Sequence, residues 1–132
     1  MSVSVPVSIS ISTIRDLLIG AVEGGSNYWA SFRKDPNFAK FIAESGESPL
    51  STLEGEEYAP QYDIDHSQYC LRICDEEDNT TYNVTLESLI QGLNVMANRY
   101  PRHFKDVITE NHDAETSDVF IQCSVFGEIV YG

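Results

Sequence analysis

The sequence predicts a single α+β domain over residues 1–132, in which three to four helices pack on a small antiparallel sheet. Two observations predict this fold class. The chain has 132 residues, of which 42% are hydrophobic, a size and composition that suit one hydrophobic core. Its apolar residues alternate in some segments, as in β-strands, and recur every three to four residues in others, as in amphipathic helices.

Residues 1–11 form the first element. Serine alternates there with valine or isoleucine, and the apolar side chains would share one face of an extended chain: Val3, Val5, Val7, Ile9 and Ile11. Pro6 has no amide hydrogen to donate to a neighbouring strand. The pattern therefore predicts either an edge strand or a loose arm.

A helix follows from Ser12 or Thr13, either of which can cap its first turn. Its apolar stripe has helical spacing and consists of Ile14, Leu17, Leu18, Ala21 and Val22. Gly24-Gly25 predicts that this helix ends in the left-handed conformation.

An aromatic cluster of Tyr28, Trp29 and Phe32 comes next. These rings either form a recognition corner, because aromatic residues concentrate at binding hot spots, or dock into the core. We expect Trp29 in the core, whereas Tyr28 fits either role. Asp35-Pro36 then predicts the start of a second helix.

The middle of the chain predicts a loop and a hairpin. Residues 46–60 are poor in apolar side chains and read as a long acidic loop. Residues 69–74 and 82–84 have strand composition, and the polar run between them predicts an antiparallel hairpin with carboxylates at its tip. Thr85 then caps a helix, which Pro101 ends or restarts.

The last segment is ambiguous. Residues 114–126 fit the face of a helix or of a strand, and we favour a helix because Asp113 suits its N-cap and Gly127 its end. Residues 128–131 follow as a closing strand or a packed tail.

The charge of the chain excludes several classes of function. It has 21 Asp and Glu residues against 8 Lys and Arg residues, a net charge of −13. Direct binding to nucleic acid needs clustered basic residues that neutralise phosphates, and so does docking on anionic membranes. The composition predicts no nucleic-acid or membrane binding, and a protein partner with a basic surface.

Metal-binding and catalytic patterns are weak. His66, Cys70 and Cys74 are spaced four residues apart, but in a strand the two cysteines would lie about 13 Å apart, too far for one ion. There is no nucleophile elbow, phosphate-binding loop or dinucleotide fingerprint. We therefore expect a protein that is not an enzyme and has neither metal nor cofactor.

The candidate partner-binding residues are Tyr28 and the carboxylates of the acidic loop and the hairpin tip. These carboxylates are Glu54, Glu56, Glu57, Asp75, Glu76, Glu77 and Asp78. On a rigid scaffold such groups can imitate a row of phosphates and occupy a basic channel. Solubility alone is the alternative role of an acidic surface.

Residues 22–29, 82–93 and 113–132 resemble a family of small proteins carried by bacteriophages and other bacterial mobile elements. Two patterns carry most of this likeness, V-E-G-G-x-x-Y-W and D-x4-D-x3-Q-x3-F-G-E-x-V-Y-G. The resemblance implies such an origin, and the host cytoplasm as the place of action, but the patterns carry no known chemistry. Small acidic proteins of such elements include inhibitors of host defence, anti-CRISPR proteins among them.

The expected function is therefore that of an accessory protein that binds and inhibits a nucleic-acid-handling defence complex of the host by mimicry. One alternative is a structural phage protein that self-assembles into a homo-oligomer through its serine-rich tail. Another is a protein that sequesters a small ligand.

Overall fold

The computed structural model of the protein describes residues 7–45 and 64–132. Within them lie five α-helices and one three-stranded antiparallel sheet with strand order β1-β2-β3. The helices are α1 (Ile11–Gly20), α2 (Pro36–Ser45), α3 (Leu86–Arg99), α4 (Pro101–Ile108) and α5 (Ala114–Phe126), and the strands are β1 (Ala30–Lys34), β2 (Cys70–Asp75) and β3 (Thr80–Thr85). The predicted α+β class is confirmed, with more helices than the three to four expected.

Strand β2 is the central strand of the sheet. Leu71 pairs with Lys34 of β1 and with Val84 of β3. Leu71 and Ile73 are fully buried, because alternate residues of a strand face the same side. The hairpin formed by β2 and β3 is thus confirmed, whereas β1 is not predicted, since its sequence ASFRK is short and only Ala30 and Phe32 alternate in it.

Helix α1 begins earlier than predicted. The hydroxyl of Ser10 accepts a hydrogen bond from the Thr13 amide at 3.1 Å, so Ser10 is the N-cap and Ile11 is already helical. Residues 7–10 form no strand, and the rest of the predicted strand or arm lies outside the described residues. The predicted apolar stripe is buried at Ile14, Leu17, Leu18 and Ala21.

Helix α1 continues into a π-helical turn, Ala21–Gly25, and ends at the predicted glycines. The sequence predicts a left-handed conformation at these glycines. That prediction is wrong, because the φ angle of Gly24 is 170°. Glycine is needed at position 25 for another reason, because the backbone of α5 comes close to it. A Cβ atom at this position would lie 2.5 Å from the carbonyl oxygen of Ala114, the first residue of α5.

Helix α5 lies at the centre of the fold. Residues 116–123 are all buried, so neighbours cover this helix on every side. Asp113 accepts a hydrogen bond from the Thr116 amide at 3.0 Å, and Gly127 ends the helix with a φ of 75°. The favoured helical interpretation and both caps are therefore confirmed, and residues 128–131 form a packed tail without a strand.

The other predicted helix starts are also confirmed. Asp35 accepts a hydrogen bond from the Phe38 amide at 3.0 Å, which caps α2 before Pro36. Thr85 forms a capping box with Ser88 at the start of α3. Pro101 occupies the first turn of α4, where its missing amide hydrogen has no helical partner to lose.

Candidate functional site

Two segments about ninety residues apart in sequence meet beside helix α5. Asp118 Oδ1 accepts hydrogen bonds from Ser26 Oγ at 2.9 Å and from Trp29 Nε1 at 2.8 Å. Its Oδ2 accepts from Tyr28 Oη at 2.5 Å and from Gln122 Nε2 at 3.0 Å. We name these five residues the Asp118 corner. All four donors are neutral, so hydrogen bonds disperse the charge of this buried carboxylate without a cation beside it.

Gln122 connects the Asp118 corner to the C-terminal tail. Its Oε1 accepts hydrogen bonds from the backbone amides of Val130 at 2.7 Å and Tyr131 at 2.8 Å. Its Nε2 also donates to the Tyr131 carbonyl at 2.9 Å. One fully buried side chain thus satisfies three backbone groups of the tail, which explains why the tail needs no strand partner.

Tyr131 links the C-terminal tail to the β2–β3 hairpin. Its ring stacks on Trp29 with 5.4 Å between ring centroids, and its hydroxyl donates to Asp75 Oδ2 at 2.7 Å. Asp75 is only 1% exposed, and its Oδ1 accepts from the Glu77 amide at 2.9 Å. The prediction that Asp75 contacts a partner is therefore wrong, because its carboxylate is buried and used within the fold.

The exposed end of the hairpin holds Glu76, Glu77 and Asp78, which we name the acidic tip. Its backbone is held in place by hydrogen bonds from the Glu76 amide to the Trp29 carbonyl at 2.7 Å and from the Asn79 amide to the Asp75 carbonyl at 2.8 Å. Within residues 7–45 and 64–132, the acidic tip takes part in no ion pair. The acidic tip is therefore rigid in its backbone and unneutralised in its charge.

Tyr28 lies between the core and the surface. Its side chain is 54% exposed, although its hydroxyl is bound to Asp118. Desolvation of the hydroxyl, followed by its hydrogen bond to Asp118, raises the pKa of Tyr28 to about 12. Trp29 is fully buried, as predicted, so of these two neighbouring rings Tyr28 alone is exposed at the surface.

The pKa of Tyr131 is also raised to about 12. The largest cause is its hydrogen bond to Asp75, followed by desolvation and by the negative charges of Asp75, Asp78 and Glu77. The acidic tip therefore acts electrostatically on the residue that joins it to the Asp118 corner.

A groove of about 650 Å³ opens beside the Asp118 corner. We name it the corner groove, and its lining includes Tyr28, His103, Glu115, Asp118, Gln122 and Tyr131. A second groove shares His103 and Glu115 with it and continues along Arg99, Arg102 and Lys105. The two grooves are adjacent but differ in charge. The corner groove has two carboxylates and no lysine or arginine in its described lining, whereas the second groove has three of each.

Cys70 and Cys123 show no activation for nucleophilic chemistry. Burial raises the pKa of the Cys123 thiol to about 11 and raises the pKa of the Cys70 thiol as well.

Across the described part of the chain, no three His, Cys, Asp or Glu side chains are placed to hold a metal ion. In the same residues, no helix has the length and apolar character needed to span a membrane.

The sequence-predicted site residues differ in their exposure to solvent. Tyr28, Glu76, Glu77 and Asp78 are exposed, Asp75 is buried, and Glu54, Glu56 and Glu57 lie outside the described residues. The Asp118 corner itself is not predicted as a site. Its signals in the sequence are the two patterns of the resemblance, which contain Tyr28, Trp29, Asp118 and Gln122. Asp118 and Gln122 are also two polar residues one helical turn apart within the otherwise mostly apolar middle of α5.

Comparisons of the chain with protein-family models, curated proteins and solved structures find no match. The function is therefore inferred from the geometry of the Asp118 corner, the corner groove and the acidic tip.

Proposed function

We propose that the protein is a non-enzymatic inhibitor that docks the acidic tip and Tyr28 on a basic surface of a partner protein. The observation that carries this proposal is the state of the acidic tip. Its three carboxylates are exposed, they form no ion pair with described residues, and they sit on a backbone that the core holds in place.

Rigidity matters because it lowers the entropy that is lost on binding. A mobile acidic tail must be ordered by its partner, which weakens the complex. The acidic tip is ordered before it binds, since Asp75 anchors its backbone at Glu77 and Asn79. Fixed carboxylates without internal cations can take the places of phosphates in a basic channel.

The proposed partner is a nucleic-acid-handling defence complex of a bacterial host, since such a complex needs basic channels to hold its substrate. An origin in a bacteriophage or other mobile element, and action in the host cytoplasm, are proposed from the resemblance of residues 22–29, 82–93 and 113–132. The first and last of these segments supply all five residues of the Asp118 corner. The resemblance therefore includes Tyr28, whereas the acidic tip lies outside it.

The test is capture of the partner from host lysate at low and high salt, followed by competition with nucleic acid. The triple variant Glu76→Lys, Glu77→Lys and Asp78→Lys reverses the charge of the acidic tip. The matched control, Asp16→Lys, Glu44→Lys and Glu87→Lys, makes the same change in net charge at exposed positions elsewhere.

We expect the wild type and the control to capture a complex that added nucleic acid displaces, and we expect capture to fall with salt. The tip variant should capture nothing. Equal capture by both triple variants would contradict docking through the acidic tip.

Self-assembly is a second candidate, and an apolar groove favours it. This groove of about 620 Å³ is lined by Val7, Ile9, Ile14, Ile90, Leu93 and Phe104, among others. Val7 and Ile90 are about half exposed, at 52% and 45%, as is typical of a contact surface between copies. Sizing of the wild type and of Ile90→Ser tests this, because a monomeric wild type would end the proposal.

A further inference from the structure

We propose that the corner groove binds the guanidinium group of one arginine side chain supplied by the partner. This inference rests on the proposed function, because it names the residue through which a basic partner engages the surface next to the acidic tip. It concerns a different set of side chains, however, and it is tested without the partner.

The first observation is the charge of the corner groove. Two carboxylates line it, those of Glu115 and Asp118, and among its described lining residues there is no lysine or arginine. Asp118 is buried and bound only by neutral donors. A cation placed in the corner groove therefore meets two carboxylates, neither of which forms an ion pair among the described residues, and is attracted by their charge.

The second observation is the aromatic lining. Tyr28 and Tyr131 both line the corner groove, and the hydroxyl groups of both are held by carboxylates, at 2.5 Å from Asp118 and 2.7 Å from Asp75. Rings that are fixed in this way present a constant surface. A planar cation stacks on such rings through cation–π attraction.

The hydrogen bonds of Asp118 indicate which cation binds. Its two oxygens already accept four bonds, about as many as a carboxylate has positions for. A ligand thus feels the charge of Asp118 without bonding to it, and only Glu115, which is exposed on the rim, offers a free carboxylate. Lysine ammonium is strongly hydrated and needs direct acceptors, whereas guanidinium is weakly hydrated and stacks on aromatic rings.

The corner groove is also continuous with the acidic tip. Tyr131 lines the groove, and its hydroxyl bonds to Asp75, which in turn accepts from the Glu77 amide. A partner that is attracted by the acidic tip is therefore brought next to the corner groove. The volume of about 650 Å³ is more than one guanidinium fills, so the flanking peptide backbone enters with it.

The test uses the side-chain Nε1–H of Trp29, which bonds directly to Asp118 and belongs to the only tryptophan in the chain. Its NMR signal is followed while the isolated protein is titrated with N-acetyl-arginine amide. N-acetyl-lysine amide and N-acetyl-citrulline amide, the second being uncharged, are titrated at the same ionic strength.

We expect a saturable shift with the arginine probe, a weaker response to lysine and none to citrulline. Asp118→Asn and Glu115→Gln should each weaken arginine binding, Asp118→Asn by about tenfold because it removes the buried charge. Glu115 is exposed, so its variant tests the inference even where Asp118→Asn fails to fold. Neutralising the acidic tip with Glu76→Gln, Glu77→Gln and Asp78→Asn should leave most of the binding intact.

The same shift with citrulline, or arginine binding that neither groove variant weakens, would overturn the inference. Failure of the arginine titration with salt-sensitive capture of a partner would contradict the corner groove alone. Arginine binding without capture through the acidic tip would contradict the proposed function alone.

Discussion

The Asp118 corner and the acidic tip both depend on carboxylates, yet they use them in opposite ways. Asp118 is buried and accepts four hydrogen bonds from side chains. The carboxylates of the acidic tip are exposed and have no cation bound among the described residues. Asp75, directly before the tip, resembles Asp118, because its carboxylate is buried and each of its oxygens accepts a hydrogen bond.

An acidic residue therefore cannot be assigned a role from its place in a charged run. A buried carboxylate that is satisfied by neutral donors holds elements together, and removing it leaves those donors unsatisfied. An exposed carboxylate contributes little to stability and stays available to a partner. Three substitution experiments test whether the two regions differ in this way.

The largest expected effect is on stability. Asp118→Ala leaves the buried hydroxyl of Ser26 and the indole N–H of Trp29 without an acceptor, and should lower the free energy of unfolding by about 3 kcal/mol. Glu77→Ala, at the acidic tip, should change it by less than about 0.5 kcal/mol. Urea denaturation followed by circular dichroism measures both. Similar losses for the two variants would remove the distinction between the two regions.

The next effect concerns how closely the π-helical turn approaches α5. Gly25→Ala places a Cβ atom 2.5 Å from the backbone oxygen of Ala114, so the turn must move away, and we expect a loss of about 2 kcal/mol. Gly24→Ala is the matched control, because no atom lies within 4 Å of its Cβ position.

The signal of the Trp29 indole N–H shows whether the movement reaches the Asp118 corner. It should shift in Gly25→Ala and stay in place in Gly24→Ala. An unshifted signal and unchanged stability in Gly25→Ala would mean that the close approach does not position the corner.

The smallest effect is on ionisation. The pKa of Tyr28 rises from 10.0 to about 12 in the folded protein, so folding favours the protonated hydroxyl. The stability that this provides is complete below pH 10 and is lost as the pH rises towards 12.

Ultraviolet titration of tyrosinate in the wild type, in Tyr28→Phe and in Asp118→Asn measures this shift. Asp118→Asn should lower the pKa of Tyr28, because it removes the charge that the tyrosinate must face. An unchanged titration in that variant would mean that burial alone sets the pKa.

Local signals predict most of the fold correctly. Thr85, Asp113 and Gly127 end or begin helices at the expected residues, because a cap satisfies backbone groups within a few positions of itself. The alternation of Tyr69, Leu71 and Ile73 likewise predicts the buried face of β2. Strand β1 is not predicted from the sequence. Its pairing with β2 contributes more to its formation than its own composition does.

The candidate site is predicted only in part. Charge and turn composition locate the acidic tip and set Tyr28 apart, since exposed polar residues at a turn are a local property. Asp75 looks the same as its three acidic neighbours in sequence, and only Tyr131, 56 positions away, makes it a buried acceptor.

By itself, the sequence determines the fold class, the hairpin, the helix caps and the negative charge of this protein, because periodicity, capping and composition act over a few residues. Tertiary structure decides which carboxylates are buried as acceptors within the fold and which stay exposed. That choice depends on contacts such as those from Ser26, Tyr28 and Trp29 to Asp118, across about ninety residues. Donors and acceptors that distant find each other only when the core around α5 has formed.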